Sequence, residues 1–202
     1  MALSVGIFIF DDIEVLDLGG PFEVFSVACR VKARLEPGSP PPFKVFTVGQ
    51  TTEMIHARGG LLVTPQFSFA NHPAIDLLII PGGVVAAELE KQPVIRWINE
   101  VAAQATIVAS VCTGSFLLAK AGLLDGKRAT THWSDIEEMR SIFPNVQVGD
   151  NVRWVEQGNL ITSGGISAGI DMSLHLVAKS ESDALAVATA KQMDYNWERN
   201  AP

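Results

Sequence analysis

The chain has 202 residues, 48% of them hydrophobic, which is enough for one large domain with a substantial core. Its formal net charge of −7, without any basic run, argues against a nucleic-acid partner. No apolar stretch reaches the ~20 residues that a bilayer span needs, so no membrane partner is expected either. Two cysteines make no disulfide framework, and a cytoplasmic location is the default expectation.

The N-terminus, M-A-L-S-V-G-I-F-I-F, lacks the features of a signal peptide, and residues 5–10 read as a first buried strand. A loop over residues 11–20 follows. Gly19-Gly20-Pro21 then reads as a turn, with Pro21 opening a helix that runs to about Lys32. Cys29 shares an amphipathic pattern with Phe22 and Phe25, and is expected to pack in the core. Residues 36–42 (E-P-G-S-P-P-P) are too rich in proline for either regular element. A second strand is expected at residues 43–48. Between Glu53 and Phe69, Arg58-Gly59-Gly60 separates two short extended runs, the pattern of a hairpin.

Residues 75–80 form another apolar run, ended by Pro81-Gly82-Gly83. Val94, Ile95, Ile98 and Val101 give a helical stripe within residues 93–104, and the β-branched run 106–111 follows it. Downstream, Asp125-Gly126 is a turn and residues 128–131 are a candidate short strand. Ser134 and Glu137 have the spacing of a capping box. Strands are expected at 146–148, 152–155 and 160–162, the last two joined at Gln157-Gly158-Asn159. Helices over 168–179 and 182–196 close the chain. This alternation implies a mostly parallel sheet with helices on both faces, and a site beyond the carboxyl ends of its strands.

Ser110-Val111-Cys112-Thr113-Gly114 lies between a strand and a helix, with small residues two positions away on each side of the cysteine. That is the pattern of a nucleophile elbow, in which a tight turn lifts the reactive side chain above the sheet edge. The N–H groups opening the helix favour a thiolate there. Four further segments offer roles. Pro81-Gly82-Gly83 carries unobstructed N–H groups, and the Gly83 and Thr113 amides together form a candidate oxyanion hole; a plain tight turn fits Gly-Gly equally well. Asp17 is a candidate proton donor and acceptor, or else a solvated loop acid or helix cap. His132, in T-T-H-W, is a candidate base toward Cys112 or a packed residue beside Trp133. The run 163–169 (S-G-G-I-S-A-G) reads either as a phosphate cradle without a Walker lysine or as a loop lining the pocket. No group of His, Cys, Asp and Glu has metal-ligand spacing.

Taken together, V-C-T-G-S at 111–115, A-T-T-H-W at 129–133, G-G-I-S-A-G-I-D at 164–171, D-L-G-G-P-F-E-V-F at 17–25 and P-G-G at 81–83 carry a resemblance. The chain resembles the ThiJ/PfpI superfamily of class I glutamine-amidotransferase-like proteins, from Val5 to about Ala190. Residues 1–202 are thus expected to be a single domain of that kind. The resemblance implies an α/β flavodoxin-like sandwich, a homodimer, a small-molecule substrate and no cofactor or metal. Within the superfamily the chain is most similar to the isocyanide hydratases. Those hydro-lyases pair the elbow cysteine with an aspartate in the first loop, here Cys112 with Asp17. His132 and Gly165 are expected in supporting positions. Relatives read as proteases carry a histidine directly after the cysteine, where this chain has Thr113. Other readings are a glyoxalase-like enzyme acting on reactive carbonyls, a ligand sensor of the kind fused to helix-turn-helix units, and a thiol stress protein. A sensor of that kind needs another ~100 residues for DNA binding.

Overall fold

The structure, a computed structural model, describes residues 2–199. Its strands, in chain order, begin with β1 (Leu3–Phe8), β2 (Phe43–Gly49), β3 (Ile55–His56), β4 (Leu62–Val63) and β5 (Phe67–Ser68). They continue with β6 (Leu77–Ile80), β7 (Ile107–Val111), β8 (Arg128–Ala129), β9 (Gln147–Val148), β10 (Trp154–Gln157) and β11 (Leu160–Ser163). Seven of these form the main sheet, in the order β10-β11-β7-β6-β1-β2-β5. All neighbours in it run parallel except β10, which lies antiparallel to β11 at one edge. The central strands β6 and β7 are buried along their whole length, which is why they read as unbroken apolar runs rather than as alternating ones. Two small ribbons lie outside this sheet, β3 with β4 and β8 with β9. The first is the expected hairpin.

One face of the sheet is covered by α1 (Val15–Leu35), α6 (Ala168–Ser180) and α7 (Asp183–Gln192), which pack on one another. The group α2 (Ala86–Glu90), α3 (Gln92–Ala102) and α4 (Gly114–Lys120) packs together against β6 and β7. A further helix, α5 (Ile136–Ile142), packs beside β9. The result is the expected α/β flavodoxin-like sandwich, with a mostly parallel sheet between helical layers. No helix among the described residues is long and apolar enough to cross a membrane.

Four expectations need correction. Helix α1 begins at Val15, not Pro21, so Gly19-Gly20-Pro21 lies inside it and Asp17 sits in its first turn. Gly20 is there for close packing: a Cβ on it would stand 2.9 Å from Ile170 Cγ1 of α6. Second, no capping box forms at Ser134, which lies within a one-turn 3₁₀ helix, Trp133–Asp135, ahead of α5. Third, α7 stops at Gln192 rather than Asn196, because Asp194 adopts a left-handed φ of 50° and ends the helix. Fourth, α2 is an additional short helix. The expected start of α7 is upheld, since Ser182 caps it by accepting from the Leu185 N–H at 3.2 Å.

Candidate functional site

Strands β1, β6 and β7 are adjacent, and their carboxyl ends lead into the segment before α1, the Pro81-Gly82-Gly83 turn and the Cys112 elbow. The register aligns Ile80 with Ser110, so Pro81-Gly82-Gly83 and Cys112 leave the sheet side by side. Cys112 has φ 55°, a left-handed conformation rare outside glycine. A Cβ on Gly114 would overlap the Ile80 carbonyl oxygen, so the chain can turn into α4 this close to β6 only with glycine there. The elbow is fastened on its other side too. The Cys112 N–H donates to the Ser163 carbonyl at 3.0 Å, and the Thr131 hydroxyl donates to the Cys112 carbonyl at 3.0 Å.

Asp17 reaches the site because the segment preceding α1 is fastened to the Pro-Gly-Gly turn. The Glu14 N–H donates to Gly82 O at 2.9 Å, and the Val84 N–H to Asp12 O at 3.0 Å. The Gly82 N–H in turn donates to Asp17 Oδ2 at 3.1 Å. The side chain is fully buried, and Oδ1 has no hydrogen-bond partner. Burial lifts the carboxyl to about 7, opposed by the Gly82 N–H and the neighbouring Cys112 thiol. Burial and the Asp17 charge push the Cys112 thiol up to about 12, while the Thr113 N–H at the sulfur works the other way. The two groups therefore titrate as a pair, which holds a single proton and a single negative charge once the pH passes about 7. When Asp17 takes that proton its repulsion of the sulfur disappears, and a thiolate becomes accessible.

The cysteine opens onto a cleft of about 240 Å³ lined by Glu14, Arg58, Gly83, Cys112, Thr113, His132, Ser134, Asp135 and Ile166. Asp17 lies beneath the sulfur rather than in the cleft wall. Arg58 is carried to the mouth by the β3–β4 hairpin, where it pairs with Glu14 at 3.1 Å. His132 Nδ1 is 2.7 Å from Ser134 Oγ and 3.1 Å from Asp135 Oδ2, and the Ser134 N–H donates to it at 3.4 Å. A Cβ on Gly165 would stand 2.6 Å from Cys112 Sγ and 2.8 Å from His132 Cδ2. The 163–169 loop is thus a wall of the cleft at this point.

The candidate residues Asp17, Cys112, Thr113, His132 and Gly165 converge. Gly83 is also present, but its N–H donates to Thr113 Oγ1 at 2.9 Å, and the same hydroxyl donates to Gly83 O at 2.9 Å. As the site stands, Thr113 supplies the backbone donor at the sulfur and Gly83 supplies shape. Cys29 is only partly buried; its thiol donates to Phe43 O at 3.2 Å, and burial raises its pKa. Glu14, Arg58 and Asp135 are site residues that sequence reasoning misses, whereas Ile166 belongs to the 163–169 run, already a candidate pocket-lining loop. The one available signal is the spacing His132-x-x-Asp135, a single turn apart.

A parallel α/β sandwich with a cysteine at a strand–turn–helix elbow, backed by an enclosed carboxyl, defines a broad class of cysteine-elbow proteins. Within that class the chain belongs to the DJ-1/PfpI family, whose profile matches residues 3–179. It is 36% identical to an isonitrile hydratase of Pseudomonas putida, over 96% of this chain and 79% of that protein. It is 28% identical to the HTH-type transcriptional regulator GbdR of Pseudomonas aeruginosa, over 98% of this chain but only 52% of the regulator. Among solved structures, a ThiJ/PfpI family protein from Pseudomonas syringae superposes with a TM-score of 0.85 at 25% identity. That match covers 98% of this chain and 77% of the other.

Proposed function

We propose that this protein hydrates isocyanides to N-substituted formamides, with Cys112 as nucleophile, Asp17 as acid and base, and no cofactor. The observation that carries the reading is the enclosed Cys112–Asp17 pair, in a chain similar over nearly its whole length to an isonitrile hydratase. A thiolate is a soft nucleophile suited to the terminal carbon of R–N≡C. As the C–S bond forms, the proton held by the pair moves to that carbon, giving the thioimidate R–N=CH–S–Cys112. Water then adds to the carbon, the C–S bond breaks, R–NH–CHO leaves and the pair recovers its proton. Nothing is oxidised or reduced. Asp17 can serve the sulfur and the adjacent carbon because it is shielded from bulk water.

The test is a panel of small isocyanides incubated with the purified protein, with formamide followed by mass spectrometry. Turnover that disappears in Cys112→Ala supports the reading. Formamide production surviving in that variant, or absent from the native protein, refutes it. Likeness to a transcriptional regulator favours a second reading, ligand sensing without turnover; isocyanide binding without formamide would favour it.

The homodimer belongs to the same proposal. Its support is an open groove of about 350 Å³ between α1 and the β3–β4 ribbon, with Leu18, Phe22 and Val63 among its lining residues. Leu16, Leu61 and Leu62 are exposed nearby in sequence. Light scattering decides the oligomeric state.

A further inference from the structure

We propose that His132, oriented by Asp135, is the base for the water that releases the formamide, leaving Asp17 to serve the sulfur and the carbon it attacks. This division of labour rests on the hydratase reading, and it begins with access. Asp17 is fully buried and absent from the cleft wall, whereas His132 lines the cleft with its side chain 21% exposed. An incoming water therefore meets the imidazole, not the carboxyl. The sulfur and the imidazole edge both converge on the position of a Gly165 Cβ, so they are no farther apart than the two distances given for that point together.

The imidazole is also oriented for this work. Asp135 Oδ2 lies 3.1 Å from Nδ1, and the Ser134 hydroxyl donates to the same carboxylate oxygen at 2.8 Å. The Ser134 N–H also donates to Nδ1, at 3.4 Å, but it is the longest of the three contacts; the nearer hydroxyl, at 2.7 Å, and carboxylate, at 3.1 Å, favour the proton on Nδ1 and the lone pair on Nε2. Among the described residues no hydrogen bond engages Nε2. The other charged groups facing the cleft are Glu14 and Arg58, tied to each other at its mouth, with the Cys112–Asp17 pair at its base. His132 Nε2 is consequently the base within reach of a water beside the thioimidate.

Water oxygen bonds to the carbon of R–N=CH–S–Cys112 while one water proton passes to His132 Nε2. The imidazolium returns that proton to the substrate nitrogen, giving R–NH–CH(OH)–S–Cys112. The C–S bond then breaks with its electron pair going to sulfur, and the hydroxyl proton returns to the Cys112–Asp17 pair. The formamide N–H hydrogen thus comes from the water, and the formyl hydrogen from the enclosed pair.

Single-turnover experiments with a small alkyl isocyanide separate the two half-reactions, using intact-protein mass for the adduct and formamide for its release. In His132→Gln, adduct formation should stay within about threefold of wild type while release falls by about 10²-fold, so that adduct accumulates. Asp135→Asn should act in the same direction but less strongly, because a carboxamide can donate to Nδ1 and stabilise the other tautomer. Asp135→Glu should recover much of the loss. Release at the wild-type rate in His132→Gln, or adduct formation and release declining together, would overturn the assignment.

Should the wild-type protein form neither adduct nor formamide, the hydratase reading fails. The placement of His132 is then judged by the nitrogen resonances of its ring before and after Cys112 is alkylated with iodoacetamide. A ring whose edge borders the sulfur should shift on alkylation, and the two nitrogens report which of them carries the proton. Resonances that stay in place, or a proton found on Nε2, would overturn the assignment.

Discussion

Replacing Asp17 by asparagine should change how stability depends on pH. In the unfolded chain the carboxyl titrates at its ordinary value of 3.8, and in the folded protein burial lifts it to about 7. Below the lower value both states carry the proton and burial meets no charge. Between the two values the folded state binds the proton that the unfolded state has released, so stability falls as pH rises. The loss per pH unit tails off above about 7, where both states have released the proton. At 1.36 kcal/mol per pH unit, the difference corresponds to about 4 kcal/mol. For a chain of this length that is a melting-temperature difference on the order of 10 °C. The introduced carboxamide keeps an oxygen for the Gly82 N–H and carries no charge, so the variant should lack this component. Urea or thermal melts of both proteins between pH 4.5 and 8.5 provide the assay. Their difference cancels groups common to both, including Asp171, raised by burial, and Glu156, held low by Lys179 and His175 against its own burial. Parallel stability curves would refute the reasoning, since an ionised Asp17 would then carry no penalty in the fold.

The same substitution should separate reactivity from turnover. Removing the Asp17 charge lowers the Cys112 pKa, so Asp17→Asn should be alkylated faster by iodoacetamide at pH 8 while forming formamide far more slowly than wild type. Gly165→Ala should leave the protein folded yet reduce Cys112 alkylation by about tenfold or more, because its Cβ meets the sulfur and the His132 ring; labelling rate and circular dichroism check this. Thr113→Val removes the hydroxyl that engages both Gly83 N and Gly83 O, and should cost about 1–2 kcal/mol in urea denaturation. Asp171→Asn weakens a buried carboxylate that pairs with Arg153 and accepts the Glu198 N–H at 2.9 Å. Because Arg153 is 31% exposed, a loss of about 2 kcal/mol is expected rather than the larger cost of a fully enclosed pair, again measured in urea.

The elbow is legible in the sequence because strand, cysteine, small flanks and helix are all local features, each following from a few neighbouring residues. The parallel sheet is legible for the same reason, since strands such as Leu77–Ile80 are apolar throughout. Asp17 stands out as a candidate, yet its surroundings read as a loop. Gly-Gly-Pro is a strong local break signal, and only the packing of Gly20 against Ile170 and the fastening of residues 12–14 to the Pro-Gly-Gly turn override it. Asp135 is hidden because its one signal, the His132-x-x-Asp135 spacing, does not distinguish a helix-start acid from one aimed at an imidazole three residues back. The commitment of the Gly83 N–H to Thr113 is likewise invisible. A hydroxyl 30 residues away in sequence fills that position, and no local pattern reports it.

The register of Ile80 beside Ser110 has a practical consequence. The Pro-Gly-Gly turn and the cysteine hang from β6 and β7, neighbouring strands in the middle of the sheet, so no fraying terminus separates these two from each other. Middle strands open only at the free energy of the whole molecule. For the proposed hydratase activity, inactivation by heat or urea should therefore superimpose on loss of structure, and an activity reading would serve as a gauge of the folded fraction.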